Sequence, residues 1–148
     1  MRKIRTPFNQ AAQSSEARYP SPTVSPMTDS ADFSVLLVDD SFVSLRGMAR
    51  VLKNHWETDV ASDAEEALYM IKRNRYTVVI SDCDMPGKDG IWLLEQTAQV
   101  APQTIRILTS CGERDRFSEH ITSGLVQCFL KKPVSPEQLS ELLAHFVI

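Results

Sequence analysis

Five strand-like runs alternate along this chain with five stretches of helical periodicity. The runs lie at residues 35–38, 57–61, 77–80, 105–108 and 126–130. Val35-Leu36-Leu37-Val38 and Thr77-Val78-Val79-Ile80 are continuous and mostly β-branched or aliphatic, as expected of strands buried on both faces. Residues 57–61 form the weakest run. Strictly alternating strands and helices predict an α/β fold, a doubly wound parallel sheet with helices on both faces. Parallel strands all end on one edge of their sheet, where such folds place their sites.

The helical stretches carry their own punctuation. Ser41 can cap a first helix, with Phe42, Leu45, Met48 (or Ala49) and Leu52 at helical spacing. Asp63 can cap a second, and Glu66 three residues on predicts a capping box. Ala67, Leu68 and Ile71 give that helix its apolar face. Asp89 can cap a third, with Ile91, Leu94 and Ala98 along one side. Residues 113–122 read as a polar fourth helix stopped near Gly124. Ser135-Pro136 opens the fifth, whose buried face is Leu139, Leu142, Leu143 and Phe146.

Hydrophobic residues make up 43% of the 148, enough for one ordinary core. No apolar run approaches the ~18 residues that a membrane helix needs, and no apolar stretch follows Met1-Arg2-Lys3, so neither a membrane segment nor a signal peptide is expected. Three cysteines without a CxxC spacing read as reduced thiols of a cytoplasmic protein. Residues 1–31, rich in Ser, Pro, Thr, Ala and Gln, are expected to be a disordered tail, with Met27 an alternative translation start and 32–148 the folded domain. The tail carries a net +2, the rest a net −5. An acidic globular part argues against nucleic acid as the partner.

Charged and hydroxyl residues stand where the runs end. Asp39-Asp40 follow the first run, Asp82 the third, Thr109-Ser110 the fourth and Lys132-Pro133 the fifth. Clustered carboxylates repel one another, and a hard divalent cation removes that penalty. A carboxylate can also be a nucleophile toward a phosphoryl group, with lysine as a point charge on the phosphate oxygens. Taken alone, each acid could equally cap a helix, and Thr109 could serve turn chemistry. Capping explains neither the Met-Pro-Gly loop after Asp82 nor the lysine at another strand end.

Val-Asp-Asp-Ser (38–41), Ile-Ser-Asp-Cys-Asp-Met-Pro-Gly-Lys-Asp-Gly (80–90), Leu-Thr-Ser (108–110) and Leu-Lys-Lys-Pro (130–133) resemble the motifs of a response-regulator receiver domain, over about residues 33–147. The resemblance implies a flavodoxin-like sheet of order 2-1-3-4-5 and Mg2+-dependent phosphotransfer from a sensor histidine kinase or histidine phosphotransfer protein, as in bacterial two-component systems. It makes Asp82 the phosphoacceptor, Asp39 and Asp40 the metal acids, and the backbone carbonyl of Asp84 a further metal ligand. Thr109 becomes the switch hydroxyl, Lys132 the site lysine in a usually cis Lys–Pro peptide, and Phe129 the aromatic that turns inward. The face of the fourth helix, fifth strand and fifth helix would then change, to control an unknown downstream protein or to close a homodimer. Asp84 and Cys111, two residues past Asp82 and Thr109, stand where receivers control water access. Redox control through Cys83 and Cys111 competes with the plain reading of small buried residues.

With the last helix ending at the C-terminus, a stand-alone domain is expected, neither an enzyme in its own right nor a DNA-binding activator. The fourth and fifth runs weakly resemble receivers fused elsewhere to HD-GYP phosphodiesterases. Two other readings remain open: a haloacid-dehalogenase-like phosphatase, whose DxD start Asp82-Cys83-Asp84 matches while Met85-Pro86 does not, and a receiver-fold scaffold that is never phosphorylated.

Overall fold

A computed structural model describes residues 33–147 of the chain. The tail and Met27 lie outside the described residues. The elements follow in the order β1 (Ser34–Val38), α1 (Phe42–Leu52), β2 (Glu57–Ala61), α2 (Ala64–Arg73), β3 (Val78–Asp82), α3 (Gly90–Val100), β4 (Ile105–Ser110), a 3-10 turn (Arg114–Phe117), α4 (Ser118–Thr122), β5 (Cys128–Lys131) and α5 (Pro136–Ala144). All pairings are parallel, in the order β2-β1-β3-β4-β5. The reversal of order lies between β1 and β3, so the ends of those two strands flank the natural crevice.

Each face of the sheet buries its own cluster. Under α1 and α5 lie Val35, Leu37, Leu45, Ala49, Leu52, Ile80, Ile107, Leu139 and Leu143. Under α2, α3 and α4 lie Leu36, Val38, Ala67, Ile71, Val79, Leu93, Leu94, Leu108 and Phe117. The period-2 alternation of β1 thus fills both clusters, which is why its run is apolar throughout.

The caps hold at Ser41, Asp63, Asp89 and Ser135, each side chain accepting an amide three residues on. Among the described residues the capping box is complete only at α5, between Ser135 and Gln138. Glu66 reaches past Asp63: its Oε1 accepts from the amide and hydroxyl of Ser62 instead.

Other expectations shift for physical reasons. Phe42 stands at the first turn of α1, beyond the sheet, and is exposed with the Arg46 guanidinium 5.5 Å from its ring centre. Ala49 completes the buried stripe of α1. On α3 the buried positions are Gly90, Leu93, Leu94 and Thr97, while Ile91 packs half-buried against the same cluster and Ala98 is half-buried. Thr97 is admitted because its hydroxyl donates to the Leu93 carbonyl at 2.8 Å. The expected fourth helix is a 3-10 turn followed by five α-helical residues, none of them buried. Its one fully buried anchor is Phe117, and a single anchor cannot hold a long helix. β5 enters the ladder at Cys128, because the Val126 amide donates to the His120 carbonyl and only Gln127 turns back toward Arg106.

Candidate functional site

Hydrogen bonding of the ladder carries the reactive residues to one edge. Asp82 is the last residue of β3 and stands in register with Thr109 of β4. Both belong to strands rather than to loops, so their backbones are held by the sheet. The Cys83 amide donates to the Thr109 carbonyl at 2.8 Å and the Lys132 amide to the Ser110 carbonyl at 2.8 Å, extending the ladder one step past Asp82 and past β5. The Lys132–Pro133 peptide is cis. Gly87, at φ +77°, turns the Met-Pro-Gly loop back. Gly90 lets α3 start close against β3, since a Cβ there would lie 2.9 Å from Cys83 Cα.

At this edge Asp39, Asp40 and Asp82 each bring an oxygen within 4.8 Å of the others. The Lys132 Nζ lies 3.2 Å from Asp39 Oδ2 and 3.2 Å from Asp82 Oδ1. The other Asp39 oxygen accepts the Ser41 amide at 2.9 Å, which fixes its orientation. Thr109 is buried beside them and lines a cavity of about 320 Å3 with Leu37, Ile80 and Leu139. Burial raises the Asp82 pKa; Lys132 pulls it back, and Asp39 and Asp84 add to the rise. Burial lowers that of Lys132, but the carboxylates of Asp39 and Asp82 outweigh it and leave the ammonium more firmly protonated. The cluster thus holds three carboxylates against one ammonium. A compact divalent cation with oxygen preference fits that donor set, and Mg2+ is such an ion.

A second set of charges lies at the mouth. The Asp84 side chain is exposed; it takes Arg116 Nη2 at 3.2 Å and the Ser110 hydroxyl at 3.3 Å. Lys131 pairs with Glu113 at 2.9 Å and donates to the Cys111 carbonyl. Phe129 is half-buried and stacks on Phe117, ring centres 5.3 Å apart. Cys83 is buried in the α2/α3/α4 cluster with its thiol pushed up to about 11, chiefly by burial, and so is a poor nucleophile; Cys111 is exposed.

Every site residue expected from the sequence therefore stands at the same edge except Phe129, which lies one sheet position back. Ser110 was legible as a strand-end hydroxyl; Arg116 was not. An arginine in a polar helix gives no signal, although Gly112, where a Cβ would lie 3.1 Å from Arg116 Nη1, marks the space it occupies.

The response regulator receiver domain model matches residues 35–144. The chain belongs to that family. Among curated relatives, the receiver domain is 30% identical over 122 residues to the uncharacterized transcriptional regulatory protein YesN of Bacillus subtilis and 32% identical over 115 residues to the sensor protein TorS of Escherichia coli. Those matches cover 78% and 76% of this chain but only 32% and 13% of the two relatives. Among solved structures, the chemotaxis protein CheY4 of Vibrio cholerae superposes with a TM-score of 0.71 at 25% identity, covering 78% of this chain and 98% of its own. A protein of Neptuniibacter caesariensis gives 0.74 at 26% identity, covering 80% and 90%. The sheet order 2-1-3-4-5 is the one that the resemblance to receiver domains implied. Among the described residues no helix is long and apolar enough to cross a membrane.

Proposed function

We propose that this receiver accepts a phosphoryl group on Asp82. The observation that carries the reading is the Asp82 carboxylate, 3.2 Å from the Lys132 ammonium and with an oxygen within 4.8 Å of the Asp39 and Asp40 carboxylates. Asp39, Asp40, Asp82 and the backbone carbonyl of Asp84 would hold Mg2+, which supplies positive charge against the incoming phosphoryl oxygens. An Asp82 carboxylate oxygen forms the new bond to phosphorus as the phosphorus–nitrogen bond of a phosphohistidine breaks, and the imidazole leaves with the electron pair. Lys132 neutralises the phosphoryl oxygens, having exchanged its contacts with Asp39 and Asp82 for them. The Thr109 hydroxyl, one strand away in register, donates to a third oxygen.

The donor is a sensor histidine kinase or a histidine phosphotransfer protein in the cytoplasm. Phe129 reports the event on the α4–β5–α5 face, which binds a downstream protein or a second copy of the chain. Incubation with Mg2+ and acetyl phosphate tests the core of this reading. Wild type should gain one phosphoryl group per chain, measured by intact mass, and Asp82→Asn should gain none. Continuous turnover of a generic phosphate ester would instead favour a phosphatase, and an unchanged mass would leave only a scaffold.

A further inference from the structure

Thr109 and Phe129 look toward opposite faces of the sheet. Phe129 pairs with Leu108 and joins it in the cluster under α2, α3 and α4. Thr109 pairs with Leu130, which packs on the α1/α5 side, and lines the cavity there. On the face that Phe129 occupies, the loop after β3 offers a connection to the site.

Such a connection is present. Asp84, two residues past Asp82, holds Arg116 Nη2 at 3.2 Å. The same guanidinium covers the Phe117 ring, with Cζ 4.8 Å from the ring centre, and Phe117 stacks on Phe129. Gly112 leaves room for the guanidinium to lie there. We propose that Arg116 is a positioning residue that couples occupancy of the acidic site to the Phe117–Phe129 stack. The proposal rests on the phosphoacceptor reading above. Drawing the Asp84 carbonyl toward a cation turns the Asp84 residue as a unit, so its carboxylate moves relative to Arg116. The guanidinium follows it, sliding off Phe117, or releases it; either way the stack under it changes. The pair is about half exposed, so the coupling is expected to be small, roughly threefold in binding.

A double-mutant cycle on the full chain tests it, with beryllofluoride plus Mg2+ as the probe and calorimetry as the readout. Phe129→Ala should shift the binding midpoint about threefold in the wild-type background and not at all in Arg116→Ala, because coupling between two sites is reciprocal. Arg116→Lys, which keeps the charge without the planar fork, should recover part of the shift. The same cycle built on Asp84→Ala should lose it again. An equal effect of Phe129→Ala with and without Arg116, or a shift that survives Asp84→Ala, overturns the proposal while leaving the phosphoacceptor reading intact. Failure of wild type to bind beryllofluoride overturns both.

Discussion

Two cations pair with carboxylates only two residues apart, Lys132 with Asp82 and Arg116 with Asp84, and their surroundings differ. Lys132 is 26% exposed and touches two carboxylates that are 13% and 7% exposed. Arg116 is 52% exposed and touches one that is 56% exposed. A charge withdrawn from water interacts strongly and is costly to leave unpaired; a charge in water interacts weakly and is cheap to move. The first arrangement suits chemistry at a fixed point. The second suits a contact that is made and broken. The division is set by strand against turn: Lys132 follows β5 directly, its amide donating a hydrogen bond to the Ser110 carbonyl, whereas Arg116 hangs from a 3-10 turn whose one deep anchor is Phe117.

The comparison breaks first at Asp82. Asp82→Asn should abolish phosphoryl uptake from acetyl phosphate while keeping the fold, read by mass and circular dichroism. Lys132→Ala should slow uptake by about a hundredfold, since it removes the charge aimed at the transferring group. It should also destabilise the metal-free chain by roughly 2 kcal/mol, because two largely buried carboxylates lose their partner, with Mg2+ restoring much of the loss in a thermal melt.

A pH series sharpens the same contrast. The folded-state pKa of Asp82 is raised above its ordinary value, so ionising it opposes folding. That cost is absent below the unfolded pKa near 3.8, grows as pH rises toward the raised folded value, and stays constant above it. In metal-free buffer Asp82→Asn should therefore melt higher than wild type at pH 7, and the gap should close as pH falls to 4. For Lys132 the sign is opposite: its raised pKa gives stability that is present below about 10.5 and is lost as pH climbs through the folded value. The smallest effect belongs to the exposed pair. Arg116→Ala should leave Tm within about 2 °C of wild type, and 1 M salt should erase even that difference.

How much of this the sequence disclosed depends on how many partners each residue serves. Strands β1 and β3 were legible because burial on both faces leaves mostly aliphatic positions, Ser34 and Ser81 being admitted with their hydroxyls bonded to backbone carbonyls. The acids and Lys132 were legible because they interrupt such runs at their ends. Thr97 hid its burial, since a satisfied hydroxyl looks like a surface residue in a string of letters. Phe42 misled in the other direction: helical spacing placed it on the stripe, but the stripe outruns the sheet by one turn. Arg116 lay beyond sequence reasoning because its role depends on an exposed carboxylate 32 residues away and on a gap at Gly112. The 3-10 break before α4 was equally hidden, since Phe117 is the one deeply buried residue of that segment, with Ile121 only half-buried against the same cluster.

Arg106 gives the far end of the molecule a part in what happens at the near end. Its side chain, buried at the start of β4, donates to the carbonyls of Leu125, Gly124, Thr104 and Pro102 at 2.8 to 3.2 Å. The turn leading from α4 into β5 is thus riveted to the edge of the sheet opposite the acids. The connection between β4 and β5 is held by four donations from the buried Arg106 at the end far from the acids, and beside them by one buried ring and one exposed ion pair.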